Sequence, residues 1–332
     1  MPVSFSSKLI AWYEKHGRHD LPWQKNPTAY RVWISEIMLQ QTQVSTVIPY
    51  YLRFMARFPS INTLANATDD AVLSHWSGLG YYARARNLHK TAKIICDQYG
   101  GHFPKTVDAC SALPGIGKST AGAILSFAFQ QRAVILDGNV KRVLTRYFAT
   151  DAPIKTLWAL ADQQTPQKNA HHYNQAIMDL GATLCTRTKP RCNDCPLTKT
   201  CKANLENKQS FYPVKIEKKT RPVKSTDMLI IYKNKSEVLL YKRPSTGIWG
   251  GLWGFPEKNN FNFKLKKLRT LEKIIHQFTH FTLQITPICY QIKNNGTLDS
   301  ATMIWYNLSQ DLPGGIPAPV AKILLILQKS SV

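Results

Sequence analysis

Apolar residues recur every three or four positions through the first part of the chain, a spacing that places them on one face of an α-helix. Three examples are residues 30–39 (YRVWISEIML), 88–99 (LHKTAKIICDQY) and 119–129 (STAGAILSFAF). Residues 66–70 (NATDD) are typical of a helix start, and residues 100–101 (GG) of a helix end. The pattern therefore predicts an all-helical region that extends to about residue 205.

The period of the pattern changes to two in the last third of the chain, which predicts β-strands. The predicted strands are residues 227–233 (DMLIIYK), 237–244 (EVLLYKRP), 281–292 (FTLQITPICYQI) and 301–308 (ATMIWYNL). Residues 318–329 (APVAKILLILQK) have helical spacing and close this part. Residues 202–225 between the two regions contain seven Lys or Arg and two Pro, a composition typical of a linker. We predict a mainly α N-terminal region, a basic linker and a smaller α+β domain.

Charge adds a class of partner to this picture. The 332 residues include 43 Lys or Arg and 20 Asp or Glu, which gives a formal net charge of +23. The excess is present in both residues 1–205 and residues 206–332, as expected for a protein that binds a polyanion along much of its surface. On charge alone, a basic proteome or a ribosome-associated protein remains an alternative. Because no apolar run approaches the ~18 residues of a membrane span, and the N-terminus lacks a signal-peptide pattern, we expect a cytoplasmic protein without a membrane partner.

Four of the seven cysteines fall close together, at Cys185, Cys192, Cys195 and Cys201. Only one pair has the C-x-x-C spacing that a structural zinc ribbon uses twice, so the spacing favours one iron–sulfur cluster, with zinc as the alternative. The loop between the first two cysteines carries three cations that either bind phosphate or are simply solvated. They are Arg187, Lys189 and Arg191. The other three cysteines, Cys96, Cys110 and Cys289, lie on apolar faces and are predicted core residues.

Residues 113–120 (LPGIGKST) look like part of a phosphate loop that binds nucleotides, but two features oppose that interpretation. Ala112 stands where such a loop needs its first glycine, and residues 106–113 (TVDACSAL) favour a helix where a strand is required. A helix–hairpin–helix fits better, because Gly115 and Gly117 permit a tight turn and a helix starting near Lys118 exposes free N–H groups. Such a hairpin binds a DNA phosphate without reading sequence.

Glu36 lies on an otherwise apolar helix, where an isolated carboxylate is usually a surface residue. Its surroundings, however, resemble the signature of the adenine DNA glycosylase family over essentially the whole chain. The resemblance is carried by residues 32–44 (VWISEIMLQQTQV), 76–90 (WSGLGYYARARNLHK), 113–124 (LPGIGKSTAGAI) and 136–144 (LDGNVKRVL). The cysteine spacing is similar to the [4Fe-4S] site of the related endonuclease III family. The resemblance therefore implies one [4Fe-4S] cluster and duplex DNA as partner.

The resemblance implies a role for each residue of the catalytic group. Glu36 would protonate N7 of adenine, and Asp137 would remain ionised and stabilise an oxocarbenium-like sugar. Ser119 and Asn139 would support them. Family members that also cut the strand have a Schiff-base lysine at the position of Ser119, whereas Lys118 lies one residue earlier. This implies a monofunctional glycosylase.

The resemblance also implies residues that contact the substrate duplex. Gln41 and Tyr81 would enter the gap that the flipped adenine leaves, and Leu39 would line the same region. Arg84 and Arg86 would neutralise phosphates, with a solvated helix face as the alternative.

Residues 243–257 (RPSTGIWGGLWGFPE) resemble the entry to a Nudix fold, but residues 259–273 (NNFNFKLKKLRTLEK) contain Glu272 as their one carboxylate. A magnesium-binding Nudix enzyme needs a glutamate-rich helix there, so we predict a domain used for binding. The tripeptide Phe278-Thr279-His280 matches the family's F-S-H loop, with Thr in place of Ser. That match implies recognition of 8-oxoguanine opposite adenine.

These inferences predict a six-helix domain with the hairpin (22–133), an iron–sulfur domain (1–21 with 134–205), a basic linker (206–225) and a Nudix-like domain (226–332). We expect a monomer that removes adenine paired with 8-oxoguanine or guanine during base excision repair, associated with the nucleoid if the source is a prokaryote. Two alternatives differ in activity. One is a bifunctional pyrimidine glycosylase of the endonuclease III type, and the other is a non-catalytic iron–sulfur DNA-binding protein or electron carrier.

Overall fold

The computed structural model describes residues 4–214, 220–257, 264–293 and 302–330. The chain divides into two compact units. The first comprises Met1–Ala65 and Lys90–Glu217, and the second comprises Asn66–His89 and Lys218–Val332. The domain boundaries predicted from the sequence stay a prediction, and the division adds that residues 66–89 group with the C-terminal part of the chain.

The predicted helical region is confirmed, and it ends at residue 205. Its helices are α1 (Phe5–His16), α2 (Ala29–Leu39), α3 (Val44–Arg57), α4 (Ile61–Ala65), α5 (Asp69–Trp76), α6 (Ala83–Tyr99), α7 (Val107–Ser111), α8 (Lys118–Phe129), α9 (Gly138–Tyr147), α10 (Ile154–Gln164), α11 (Ala170–Thr183) and α12 (Lys202–Leu205). Side-chain caps fix several starts: Thr28, Thr68 and Thr106 each accept a hydrogen bond from the backbone N–H three residues later.

The core of the first unit is formed where α11 packs against both α1 and α9. Leu9, Leu144, Ile177 and Leu180 are fully buried there. Gly181 lets α11 approach α9 closely, because a Cβ at this position would lie 2.6 Å from the Cβ of Asn139. This packing places the start of α9 at a defined position beside α11.

The second unit contains a mixed sheet and one C-terminal helix. The strands are β1 (Val223–Tyr232), β2 (Glu237–Lys242), β3 (Trp253–Gly254), β4 (Leu265–Thr270), β5 (Ile274–Gln277), β6 (Thr282–Ile292) and β7 (Met303–Asn307), followed by α13 (Ala318–Ser330). The order is β3-β2-β1-β6-β4, with β5 also paired to β6 and β7 to β2. Strands β1 and β6 are parallel, and the other pairs are antiparallel.

Residues 66–89 pack onto this sheet domain through hydrogen bonds. Asp70 on α5 accepts from Lys242 Nζ at 2.7 Å and from Trp253 Nε1 at 3.1 Å. The hydroxyl of Tyr82 donates to the carbonyl of Ile316 at 3.0 Å, and Arg86 donates to the carbonyl of Gly250 at 2.7 Å. These contacts explain why the segment belongs to the second unit.

Strands β4 and β5 occupy the region in which a Nudix enzyme would carry its glutamate-rich helix, although residues 258–263 of that region lie outside the described residues. The sequence pattern did not predict β3, β4 or β5. In β4, lysines leave few apolar residues to show a period, and the strand forms because it pairs with β6. Strand β1 begins at Val223, inside the segment expected to be linker, because it pairs with β6 from Thr282 onward. Within the described residues, no helix has the length and apolar character needed to cross a membrane.

Candidate active site

A cavity of about 980 Å³ in the first unit contains the predicted catalytic residues. Glu36, Ser119, Asp137 and Asn139 all line it, although they come from three separate helical segments. Leu39, at the end of α2, lines it as well. Helix α2 packs against α8 through its buried face, which leaves Glu36 half-buried at the wall of the cavity. The structure therefore brings together the four residues that were assigned to catalysis.

Asp137 is held by the start of α9, for which it is the N-cap residue. Its Oδ1 accepts a hydrogen bond from Val140 N at 2.8 Å, and its Oδ2 accepts one from Asn139 Nδ2 at 3.0 Å. The carbonyl oxygen of the Asn139 side chain in turn accepts from Arg142 Nη2 at 2.8 Å. Asp137 is thus oriented by two direct partners, one of which is itself held by Arg142, and it lines the cavity.

The two carboxyl groups differ in the interactions that counteract the effect of burial on their pKa values. Burial, and after it the negative charge of Asp137, raise the pKa of Glu36 to about 8. Burial also raises the pKa of Asp137, but hydrogen bonds from Val140 and Asn139 and the charge of Arg142 act against that rise. At neutral pH Glu36 holds a proton, whereas Asp137 has the groups that stabilise an anion. One acid and one stabilised carboxylate in a single cavity are the groups that glycosidic bond cleavage requires.

The hairpin before α8 has the expected geometry. Gly115 has φ +78°, and α8 begins at Lys118 after the cap residue Gly117. The first helix of the hairpin, α7, ends at Ser111, two residues earlier than the sequence suggested. The free N–H groups at the start of α8 are the kind that bind phosphate.

The side chains of Ser119 and Lys118 point to different surroundings. Ser119 lines the cavity, and its Oγ accepts a hydrogen bond from Leu136 N at 3.2 Å. The Nζ of Lys118 lies 4.5 Å from the centre of the Trp158 ring on α10, a cation–π contact. The nearest amine in the sequence is therefore held by an aromatic ring, while a hydroxyl occupies the cavity wall.

The two residues expected to enter the duplex have an unusual backbone. Gln41, which is exposed, has φ +58°, and Tyr81 has φ +48°. Both values lie in the left-handed region that residues other than glycine rarely adopt. Arg84 supports the backbone just before Tyr81, because its Nη2 donates hydrogen bonds to the carbonyls of Leu79 and Gly80. Since Arg84 and Arg86 both bond backbone carbonyls, their role at phosphates stays a prediction.

Thr279 is presented by a tight aromatic turn after β5. Phe278 N donates to the carbonyl of Phe281 at 2.9 Å, and the two rings stack at 4.5 Å. Thr279 and His280 are exposed at the tip. The hydroxyl oxygens of Thr279 and Tyr81 lie 3.1 Å apart, a hydrogen bond in which either can donate. The second unit thus joins two residues that the sequence resemblance had placed separately at the substrate.

The four clustered cysteines line one small cavity in the first unit, together with Arg146. All four are free thiols, and Arg146 Nη1 donates to the Sγ of Cys185 at 3.3 Å. Burial raises the pKa of the Cys195 thiol to about 12, and it also raises the pKa values of Cys192 and Cys201. In the part of the chain that the structure describes, no group of three or more His, Cys, Asp or Glu is arranged to hold a single metal ion.

The loop between Cys185 and Cys192 exposes all three predicted cations. Arg187 also lines the active-site cavity, while Arg191 donates to the carbonyl of Thr183 at 3.2 Å. The cation loop and the catalytic cavity are therefore adjacent.

Several residues of the site were missed from the sequence. Arg142 joins Asn139 to the carbonyl of Cys185, to which its Nε donates at 2.7 Å. His171 and His172 line the cavity as a ring pair with centroids 4.1 Å apart. Arg142 could have been found from its place in the motif LDGNVKRVL, where it lies one helical turn after Asn139 and so on the same side of the helix. For the histidines the sequence offered only two adjacent imidazoles.

Comparisons with known proteins agree with this geometry. Residues 34–158 match the HhH-GPD superfamily base excision DNA repair protein model, and residues 227–325 match the NUDIX domain. An adenine DNA glycosylase of Buchnera aphidicola subsp. Baizongia pistaciae is 44% identical over 340 residues, which cover 98% of this chain and 97% of the relative. A solved thermostable thymine-DNA glycosylase is 28% identical with a TM-score of 0.57, covering 61% of this chain and 95% of that one. A non-covalent complex of endonuclease III with DNA shares the fold at 20% identity and a TM-score of 0.54, covering 61% of this chain and 94% of that one.

Proposed function

The chain belongs to the adenine DNA glycosylase family of base excision repair, and from that membership we propose that its substrate is adenine paired with 8-oxoguanine or guanine in duplex DNA. The protein is a monofunctional glycosylase, which breaks the bond between base and sugar and leaves the strand intact. The mispair and the role of each residue are the proposed part. They rest on the contacts described above.

In the proposed mechanism, protonated Glu36 donates its proton to N7 of the flipped adenine. The bond from C1′ to N9 then breaks, and adenine leaves as a neutral base. The anion of Asp137 stabilises the positive charge that develops on the sugar. Water adds to C1′ and gives up a proton to the Glu36 carboxylate, which restores the acid. One water is consumed, and the products are free adenine and an abasic site.

Ser119 explains why the abasic site is not processed further by this mechanism. Strand cleavage of the lyase type begins with an amine that attacks C1′. The cavity wall carries the hydroxyl of Ser119, and the amine of Lys118 is held over Trp158. We expect release of adenine without a Schiff-base intermediate at either position.

The hydrogen bond between Tyr81 and Thr279 is the observation that carries the proposal for 8-oxoguanine. It joins two residues 198 positions apart in the sequence, at a distance of 3.1 Å. Tyr81 comes from the segment expected to enter the duplex, and Thr279 comes from the loop expected to read the opposite base. Their contact supports a single recognition surface. On it, the ring of Tyr81 would fill the gap in the base stack, and the hydroxyl of Thr279 would contact the damaged base.

We also propose that Cys185, Cys192, Cys195 and Cys201 hold one [4Fe-4S] cluster. The four thiols line one cavity, and Arg146 Nη1 donates a hydrogen bond to the Sγ of Cys185 beside it, so four sulfur ligands and one cation are gathered in one place, as an iron–sulfur cluster requires. When bound, the cluster would supply iron–thiolate bonds that fix the loop carrying Arg187, Lys189 and Arg191. Iron and sulfide content would support this assignment, whereas stoichiometric zinc would contradict it.

One experiment tests the substrate and reaction together. The protein is incubated with duplexes that contain A:8-oxoguanine, A:G, A:T or thymine glycol, and the products are resolved with and without hot alkali. Alkali-dependent cleavage at adenine in the first two duplexes is the expected result. Alkali-independent cleavage at thymine glycol would favour the bifunctional alternative, and no base loss in any duplex would favour a DNA-binding protein.

We further propose a monomer that works in the cytoplasm, at the nucleoid of a prokaryote.

A further inference from the structure

Strands β4 and β5 follow one another along the same side of β6. Leu265 to Thr270 pair with Ile292 to Ile288, and Ile274 to Gln277 pair with Ile285 to Thr282. The Thr279 loop comes directly after β5, so this side begins at that loop. Gln291, the partner of Lys266, lies nine residue steps from Thr282, and with a rise of ~3.3 Å per step the two are about 30 Å apart.

The charged side chains along this side of β6 are predominantly positive. Residues 264–293 contain six Lys or Arg and a single carboxylate, Glu272. Lys266, Lys267 and Lys273 are exposed, and none of them forms an ion pair with a carboxylate of the described residues. Arg269 differs from them, because it interacts with Tyr232 and Cys289. We call Lys266, Lys267 and Lys273 the lysine edge.

We propose that the lysine edge binds the phosphates of one arm of the duplex, from the damaged base outward for about 30 Å. Each DNA strand presents one phosphate per ~3.4 Å of helix axis, so Lys273 would act about four base pairs from the lesion and Lys266 about nine. The inference rests on the proposed function, because that function places Thr279 at the damaged base. It adds a second, sequence-independent contact to the recognition of that base.

The competing explanation is that these lysines protect the sheet. Strand β4 is the last strand in the sheet order, and lysines on such strands prevent pairing with other molecules. The two explanations differ in what they predict for DNA. Protection requires no effect on DNA binding, whereas phosphate contact requires an effect that depends on the length of one arm.

The first measurement compares Lys266→Gln/Lys267→Gln with the wild-type full-length protein. Binding is measured on a duplex with a tetrahydrofuran abasic analogue opposite 8-oxoguanine, which prevents turnover, across a range of salt concentrations. The double variant should bind about tenfold more weakly at low salt, and the slope of log K against log salt should fall by about 1.8, or 0.9 per phosphate. The matched control is Lys322→Gln on α13, an exposed lysine away from this edge, which should bind like wild type.

The second measurement shortens one duplex arm at a time from fifteen base pairs to six. On one of the two arms, the effect of Lys266→Gln/Lys267→Gln should disappear, while Lys273→Gln should still weaken binding severalfold. An effect that survives the shortening of each arm in turn, or an unchanged affinity of the double variant for the long duplex, would overturn the proposal.

Failure of the proposed function gives a different result. Replacing 8-oxoguanine by thymine in the same duplex should weaken wild-type binding if Thr279 reads the damaged base. Equal affinity for both duplexes would reject that assignment, whereas the arm-length dependence is judged separately within one duplex.

Discussion

The active-site cavity of the first unit and the Thr279 loop of the second differ in how far their functional groups are removed from water. Glu36 is half-buried, and the pKa of its carboxyl is raised to about 8. Tyr81 is 48% exposed, and Thr279 is exposed as well. Proton donation at neutral pH needs the pKa shift that burial supplies, while reading a base requires groups that the base can reach. Substitutions in the two regions should therefore affect rate and affinity separately.

The largest effect is expected for Glu36→Gln, which removes the acid but keeps the shape and the polarity of the side chain. The rate of base release should fall about 10³-fold, because general acid catalysis contributes 10²–10⁴. Single-turnover assays on A:8-oxoguanine duplexes measure this rate. Affinity for the duplex should stay within about threefold of wild type. If turnover remained at the wild-type level, Glu36 would not be the acid.

The pH dependence of the same rate sharpens the comparison. The protonated form of Glu36 is the active one, and its pKa is raised, so the acid is present below pH about 8 and is lost above it. The single-turnover rate should therefore be highest below that pH, where Asp137 is still ionised, and fall about tenfold per unit above it. Binding, measured alongside at each pH, should not follow this curve. A rate that rises through pH 8 would mean that the deprotonated form is the one that acts.

A smaller effect is expected for Thr279→Ala, which removes one hydroxyl from the exposed loop. One hydrogen bond contributes about 0.5–1.5 kcal/mol, so affinity for A:8-oxoguanine should weaken between about twofold and tenfold. The rate at saturating enzyme should change less, and affinity for A:G should be unaffected. Thr279→Ser keeps the hydroxyl and serves as the matched control. Equal losses on both duplexes would show that the residue acts on the fold of the loop instead.

The smallest effect is expected for Trp158→Leu, which frees the ammonium of Lys118 at the hairpin. A cation–π contact contributes about 0.5–1 kcal/mol at an exposed site, so loss of the ring should weaken DNA binding about threefold. The double variant Lys118→Gln/Trp158→Leu separates the two contributions. If Trp158 acts by positioning Lys118, its loss should have no further effect once the lysine is absent. Additive effects would assign Trp158 an independent role.

The local geometry around the residues proposed for catalysis follows from the sequence more directly than the geometry around those proposed for recognition. The turn at Gly115 and the start of α8 near Lys118 were predicted because each is set by residues within a few positions, so local rules suffice. The raised pKa of Glu36 is not local, because the neighbours that exclude water come from other helices. The carboxylate could be found from the sequence, but its protonation required the fold.

In the second unit, more of the structure depends on distant partners. Strand β4 looks like a basic loop until β6 is available to pair with it. Arg84 looks like a solvated cation until the carbonyls of Leu79 and Gly80 turn toward it. The contact between Tyr81 and Thr279 has no counterpart in any spacing rule. Family resemblance named both residues, and the folded chain brought them together.

The left-handed backbone at Gln41 and Tyr81 has a consequence for the search along DNA. A residue other than glycine in this region costs about 1–2 kcal/mol, and that cost is met when the protein folds. Because the strained shape already exists in the free enzyme, an encounter with DNA does not have to wait for it to form. Under the proposed roles of Gln41 and Tyr81 in the duplex, an enzyme that tests many sound base pairs for each damaged one gains speed of inspection from an unfavourable torsion angle at these two residues.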